Sequence, residues 1–445
     1  MNRIGSLIQT IHHALHPYRV VVNLVIFWIL ATYAWEAVQE AVAAPVTEWM
    51  HIYSFRDYTH WDDIKTYLRE LRTGIPPVLS FLELHSWMRY CSIEWIIEDL
   101  YRYGIVFAVL LPGFFAKGTL RSWLLATGIG WLMLESILIV HPGNPQLYDV
   151  LLPVFILLGF LYAQISLKTK WVALGIVPAV LGGFFFSMAE LARPFMIALL
   201  PILIAICGYQ YFQARRRWLF VAYLLPILIF SGGWHLKLLI YNQGQVVWSN
   251  HGGTNLFRAW TPVIDHKNLT SQIQPEAPPL NEYGWAWNNL NTQIHAENSA
   301  FRSKAVVGGI LNKPELAGKI LYQKIRIFTT PRTYIYKHDP QDPLLIWYRT
   351  FVRGLYYVLA ILLVVSLVKT IRNWRFLFSW EFGLLFTTFF LTVMPIIGES
   401  GEEARFIVAV LPFLITTGLI AARWGEDLLR WAIKKGTDKW DSSSS

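Results

Sequence analysis

Long apolar runs separated by short polar loops dominate the pattern of this chain. A transmembrane helix needs roughly 20 mostly apolar residues. About ten stretches come close to that length, and they cover about residues 20–38, 101–116, 120–140, 147–166, 171–189, 195–213, 218–234, 349–368, 378–397 and 405–422. The pattern predicts an all-α polytopic membrane protein.

The composition agrees with a protein whose solvent is largely lipid. Hydrophobic residues make up 55% of the 445 residues and charged residues only 15%, whereas soluble domains have about 25% charged residues. A chain this poor in charge cannot cover its surface with polar groups in water. The two cysteines, Cys91 and Cys207, are not expected to form a disulfide, because Cys207 lies inside an apolar run.

The distribution of basic residues predicts the orientation in the membrane. The net charge is +9, but Lys and Arg fall mainly in alternate loops, as expected for cytoplasmic segments under the positive-inside rule. With the N-terminus inside, the short outside loops hold only Arg193 and Arg405. We therefore predict a multi-pass protein of the plasma (inner) membrane with both termini in the cytoplasm, and no nucleic-acid partner.

Two longer polar segments interrupt the spans, and both are predicted to lie outside. Residues 39–100 are rich in Trp and Tyr and have helical periodicity, which indicates interfacial helices. Residues 235–348 contain a Pro-rich loop and a predicted helical pair, 300–311 and 314–328, with Pro314 at a first helical position. The predicted organisation is the N-terminus with the first span (1–38), the first outer loop (39–100), spans two to seven (101–234), the large outer loop (235–348), spans eight to ten (349–422) and a cytoplasmic tail (423–445).

Three basic residues stand at the predicted outer ends of membrane helices. They are Arg193, Arg405 and Lys237, each at the level of an outer-leaflet phosphate. A guanidinium binds phosphate through a planar fork. The alternative is a local ion pair, for example Arg193 with Glu190, or a side chain that snorkels to the interface.

Carboxylates cluster on the same predicted side. Asp57, Asp62 and Asp63 lie in the first outer loop, Asp149 in a short outer loop and Glu402 in the last outer loop. A carboxylate beside a cationic site suits a general base that acts on a hydroxyl. The alternative is that outside loops are simply hydrated and acidic.

An ordered set of short motifs resembles the GT-C glycosyltransferases. The branch with protein O-mannosyltransferases and lipid A aminoarabinose transferase is the most similar. Five short motifs resemble the signatures of this branch and follow the same order along the chain. They are the acidic pair and tyrosine of residues 62–67, the Arg-Pro of 192–194, the Gly-Gly and Asn-Leu of 251–257, the Asn-Lys-Pro of 312–314 and the Arg-Phe of 405–406.

The resemblance implies a GT-C-like fold and transfer of a hexosyl or pentosyl group. The donor would be an undecaprenyl or other polyprenyl phosphate sugar, and the acceptor a hydroxyl of a glycan, lipid or protein in the cell envelope. Asp63, with Asp62 in reserve, would be the base, and Arg193, Arg405 and Lys237 would hold the phosphate. Supporting roles would fall to Tyr67, Asp57, Asp149, Glu190 and Glu402.

The resemblance also implies that no cofactor is required. Asp62 with Asp63 or Asp149 could hold a divalent cation, but members of this branch need none, and arginine already supplies positive charge. We therefore favour a site without metal.

Three other functions fit parts of the pattern. An O-antigen ligase or polymerase would also combine many spans with one large outer loop, but the acidic first loop and the Arg-Pro fit it less well. A transporter would be expected to show internal repeats and polar midplane helices, whereas the unusual charges here lie at the rim. A non-catalytic assembly protein with the same scaffold is the remaining alternative.

Overall fold

The computed structural model of the chain describes residues 147–241, 252–264, 293–329, 343–398 and 403–441. The predicted spans 20–38, 101–116 and 120–140, and the predicted outer loop 39–100, lie outside the described residues.

The regular structure of the described residues is helical. The α-helices are α1 (Leu147–Lys168), α2 (Val172–Ala192), α3 (Leu200–Gln213), α4 (Arg217–Pro226), α5 (Gly233–Tyr241), α6 (Gly252–Ala259), α7 (Gln293–Asn312), α8 (Pro314–Thr329), α9 (Pro343–Arg372), α10 (Trp380–Gly398) and α11 (Glu403–Asp441). A π-helical turn, Ile227–Gly232, joins α4 to α5 without a break.

Within the described residues, four helical segments are long and apolar enough to cross a membrane. They are Val172–Ala192, Arg217–Lys237, Arg349–Arg372 and Trp380–Gly398, and two shorter apolar helices, Leu152–Lys168 and Ala409–Gly425, accompany them. The structure thus confirms the coarse prediction of an all-helical, multi-pass membrane protein. The full number of spans and the direction of each crossing stay predictions.

The predicted span 195–213 is not one helix. A short 3₁₀ helix covers Pro194–Ala198, and α3 begins at Leu200 after the turn residue Leu199. Pro194 and Pro201 both lie in first turns, where the missing N–H of proline costs nothing; in the middle of one continuous helix, Pro201 would remove a hydrogen bond. The last predicted span, 405–422, is the first part of the much longer α11.

Small residues bring α1, α2 and α4 close together. A Cβ atom built on Gly183 would lie 1.9 Å from the carbonyl oxygen of Tyr223, and one on Gly182 would lie 3.0 Å from the backbone nitrogen of Ala163. Glycine at these positions allows the backbones to approach, as in many membrane helix pairs. The contact fixes α2 against the segment that leads through the π turn into α5.

The bundle has two distinct ends. At one end the side chain of Arg216 donates to the carbonyl oxygen of Ser166 at 3.0 Å, and Arg423 pairs with Glu381 at 3.2 Å. This end collects the basic residues Lys168, Lys170, Arg215, Arg216, Arg217, Lys369, Arg372 and Arg375, and we call it the basic end. We call the opposite end, where α2 and α10 finish and α11 begins, the loop end.

The described part of the large loop packs on the loop end. Helices α6, α7 and α8 enclose a small core, and the predicted helical pair is confirmed as α7 and α8. The buried members of this core are Ala259, Trp260, Val263, Ile264, Val306 and Ala317. The indole N–H of Trp260 donates to the carbonyl oxygen of Ile397 at 2.8 Å, which attaches the loop helices to the last turn of α10.

Candidate functional site

A buried carboxylate lies near the loop end of the bundle. Glu190, in the last turn of α2, is only 3% exposed. The hydroxyl of Ser231 donates to Oε2 of Glu190 at 2.7 Å, and Nε2 of His235 lies 2.7 Å from Oε1. Both carboxylate oxygens are therefore held by side chains of one neighbouring segment.

The local sequence explains why Ser231 and His235 act together. Residues four apart lie on the same face of a helix, so both can reach one carboxylate on α2. Ser231 lies in the π turn and His235 in the first turn of α5. The π turn follows Pro226, which has no N–H to donate to the preceding turn. Such wide turns inside α-helices occur frequently at functional sites.

Burial determines the chemistry of this cluster. A charged carboxylate removed from water is costly unless it is paired and hydrogen-bonded. The Glu190 side chain is 2% exposed, whereas the His235 side chain is 25% exposed. The cluster therefore combines a fully buried carboxylate with a histidine whose side chain is partly exposed.

Two basic residues, Arg193 and Lys237, lie on the helices that carry the Glu190 cluster. Arg193 ends α2 with extended backbone (φ −141°, ψ 110°), and its N–H is bonded to the carbonyl oxygens of Ala189 and Glu190 at 3.2 Å. Lys237 follows His235 on α5, and its Nζ lies 4.4 Å from the ring centroid of Trp234. Both side chains are half-buried, and along the chain Arg193 follows Glu190 by three residues and Lys237 follows His235 by two.

The structure brings together only part of the predicted site. Glu190, Arg193 and Lys237 share the loop end. The backbones of Arg405, in the first turn of α11, and Asp149, in the first turn of α1, lie at the same end, but their side chains are outside the described atoms. The predicted site residues Asp57, Asp62, Asp63, Tyr67 and Glu402 lie outside the described residues.

Sequence reasoning did not select Ser231 or His235. The sequence signal that could have found His235 is its position directly after the apolar run 218–234. That position is close to the level of Glu190 in a neighbouring predicted span. Among the described residues, no three His, Cys, Asp or Glu side chains converge on a point where a metal ion could bind.

Comparison with known proteins identifies no relative of this chain. No protein-family model matches it, and no curated protein and no solved structure is significantly similar to it. Within the described residues, the Glu190 cluster and the cations Arg193 and Lys237 share the loop end of a helical membrane bundle.

Proposed function

We propose that the chain is a membrane glycosyltransferase that moves a sugar from a polyprenyl phosphate to a hydroxyl acceptor. The observation that carries the proposal is the combination, at the loop end, of two cations and a buried acid–histidine cluster on the same pair of helices. The cations would bind the phosphate, and transfer of the sugar to a hydroxyl needs a group that accepts the hydroxyl proton. The ordered sequence motifs point to the same reaction.

The charge pattern supports an outer position for the site. Cytoplasmic loops of membrane proteins are enriched in Lys and Arg, and the basic end has that character. The loop end would then face outside. Arg193 follows Glu190 by three residues and Lys237 follows His235 by two, both at the ends of membrane helices, which suggests that they serve a ligand with negative charge.

A lipid phosphate is the ligand that fits a site at the ends of membrane helices. The polyprenyl chain has to stay in the bilayer, because each buried CH₂ contributes about 0.8 kcal/mol to membrane binding. Its phosphate would then lie at the helix ends, where Arg193 could bind two of its oxygens through the guanidinium fork. Arg405 is the predicted third cation.

The proposed reaction is a single inverting displacement. The acceptor hydroxyl attacks the anomeric carbon from the face opposite the phosphate, and a base takes the hydroxyl proton. The polyprenyl phosphate leaves with the electron pair of the C–O bond, and its charge is balanced by the cations. A glycosidase has to protonate its leaving group, whereas a phosphate already leaves readily. The sequence motifs suggest Asp63, or Asp62, as the base.

The test is donor turnover by the purified full-length protein in lipid nanodiscs. A panel of polyprenyl-phosphate hexoses and pentoses is supplied with hydroxyl acceptors, and released polyprenyl phosphate is measured by mass spectrometry. Arg193→Ala should lower turnover by about 10²–10³-fold, the usual loss when one charge-stabilising donor is removed. Arg372→Ala, an exposed arginine at the basic end, is the matched control and should behave as wild type.

The experiment also separates the competing functions. Release of polyprenyl phosphate with sugar on the acceptor supports the proposal. Lipid that changes leaflet without loss of sugar would indicate a transporter instead. Intact donor with every acceptor, from a correctly folded wild-type protein, would reject the enzyme hypothesis.

A further inference from the structure

The Glu190 cluster has the arrangement of an oriented acid–base residue. His235 is held by a buried carboxylate on one ring nitrogen, while its side chain keeps 25% of its surface exposed. We infer that His235 is the proton acceptor of the transfer reaction and that Glu190 is its positioning residue. This inference rests on the proposed function.

The hydrogen bonds determine which nitrogen is available. The Glu190 carboxylate can only accept, so Nε2 of His235 has to donate across the 2.7 Å contact. In the neutral ring the proton is then on Nε2, and Nδ1 keeps its lone pair. An orienting carboxylate selects the tautomer of a catalytic histidine in the same way in hydrolytic triads.

Ser231 makes this orientation rigid. Its hydroxyl binds the second carboxylate oxygen at 2.7 Å, which prevents the carboxylate from rotating away from the histidine.

The proposed step is balanced in atoms and electrons. The O–H bond of the acceptor breaks and its proton moves to Nδ1 of His235, while the acceptor oxygen forms a bond to the anomeric carbon. The bond from that carbon to the phosphate oxygen breaks, and polyprenyl phosphate leaves with the electron pair. The imidazolium returns its proton to solvent before the next turnover.

This step needs one base, so His235 and Asp63 are competing assignments. The test compares His235→Gln and Asp63→Asn in the full-length protein with the same donor and acceptor. Gln keeps an N–H that can donate to Glu190 but has no basic nitrogen. Ser187→Ala is the matched control, because Ser187 is a buried hydroxyl on α2 that donates to the carbonyl oxygen of Gly183 rather than to Glu190.

We expect His235→Gln to lower kcat by about 10²–10⁴-fold, the usual contribution of a general base, with little change in the donor KM. Ser187→Ala should keep most of the activity, and the loss of turnover in His235→Gln should exceed that in Asp63→Asn. Added imidazole should restore turnover to His235→Ala, because a free base can occupy the space that the ring leaves. A role in folding alone would not produce this rescue.

The outcomes separate the inference from the proposed function. If Asp63→Asn loses turnover and His235→Gln keeps it, the inference is wrong and the glycosyltransferase proposal stands. If His235→Ala is inactive, insensitive to imidazole and lower in Tm, His235 is structural and the inference is also wrong. If the wild-type protein uses no donor, the proposed function itself fails and the inference fails with it.

Discussion

Arg193 illustrates how one proline can position a charged residue at the end of a membrane helix. A proline disfavours helical backbone at the residue before it, and Arg193 has extended backbone between α2 and the 3₁₀ helix that starts at Pro194. Helix α2 ends at Ala192. The guanidinium is carried at a defined point, three residues after the buried Glu190.

The fork of Arg193 should matter more than its charge. Arg193→Lys keeps the positive charge but loses the planar pair of donors. One charge-assisted hydrogen bond contributes roughly 1.5–3 kcal/mol, so kcat/KM for the lipid donor should fall about 10–100-fold at a fixed acceptor concentration. The measurement is donor kinetics in nanodiscs, with Arg372→Lys at the basic end as control. Unchanged donor kinetics for Arg193→Lys would exclude bidentate phosphate binding.

At the residue scale, the sequence identifies the charged residues of the candidate site but not the side chains that they contact. Arg193, Glu190 and Lys237 stand out because a charge beside an apolar run is visible in any hydropathy pattern. The pairing of Glu190 with Ser231 and His235 is not visible, because 41 and 45 positions separate them from it. Their contact depends on the register of α2 against α4 and α5, which only packing determines.

That register depends on one close helix contact. Gly183 on α2 faces the backbone of Tyr223 on α4, and the aromatic rings of Phe186 and Tyr223 meet edge to face at 6.2 Å beside it. Beyond this contact, α4 widens into the π turn that carries Ser231. The same helix pair thus has a tight contact at its centre and the Glu190 cluster at its end.

Gly183→Ala should destabilise the bundle, although alanine is the better helix former by about 1 kcal/mol. The new Cβ would lie 1.9 Å from the carbonyl oxygen of Tyr223, so the backbones have to separate, and overpacking of this kind costs typically about 1–3 kcal/mol. Thermal unfolding in one detergent should show a lower Tm. Gly354→Ala is the control, since its Cβ would meet no atom within 4 Å. Equal Tm values for the two variants would contradict the contact.

At the element scale, hydropathy predicts which segments are helical but not how helices bend or where they end. The segments 147–166 and 218–234 coincide with helices, whereas 195–213 divides at Leu199. The division reflects two prolines that a hydropathy window averages away. Helix α11 continues to Asp441 because helix formation does not stop where the apolar run ends. Pro314 correctly indicated the start of α8.

At the scale of the whole molecule, the basic short loops and the loop helices α6, α7 and α8 lie at opposite ends of the bundle. The basic end is held by contacts such as Arg216 to Ser166. The loop end combines the Glu190 cluster with the loop helices that Trp260 attaches to α10. A site for an outer-leaflet lipid requires the loop end to face outside, so the orientation is a condition of the proposed reaction.

Cysteine labelling tests this orientation. In a background with Cys91 and Cys207 replaced by alanine, Lys313→Cys between α7 and α8 should react with an impermeant thiol reagent in intact cells. Gln213→Cys, exposed at the basic end, should react only after the membrane is permeabilised, because the positive-inside rule places that end in the cytoplasm. Total labelling after permeabilisation checks that both thiols are reactive. Labelling of Gln213→Cys but not Lys313→Cys in intact cells would reverse the orientation. The helix packing would then stand, but the lipid phosphate would have to come from the inner leaflet.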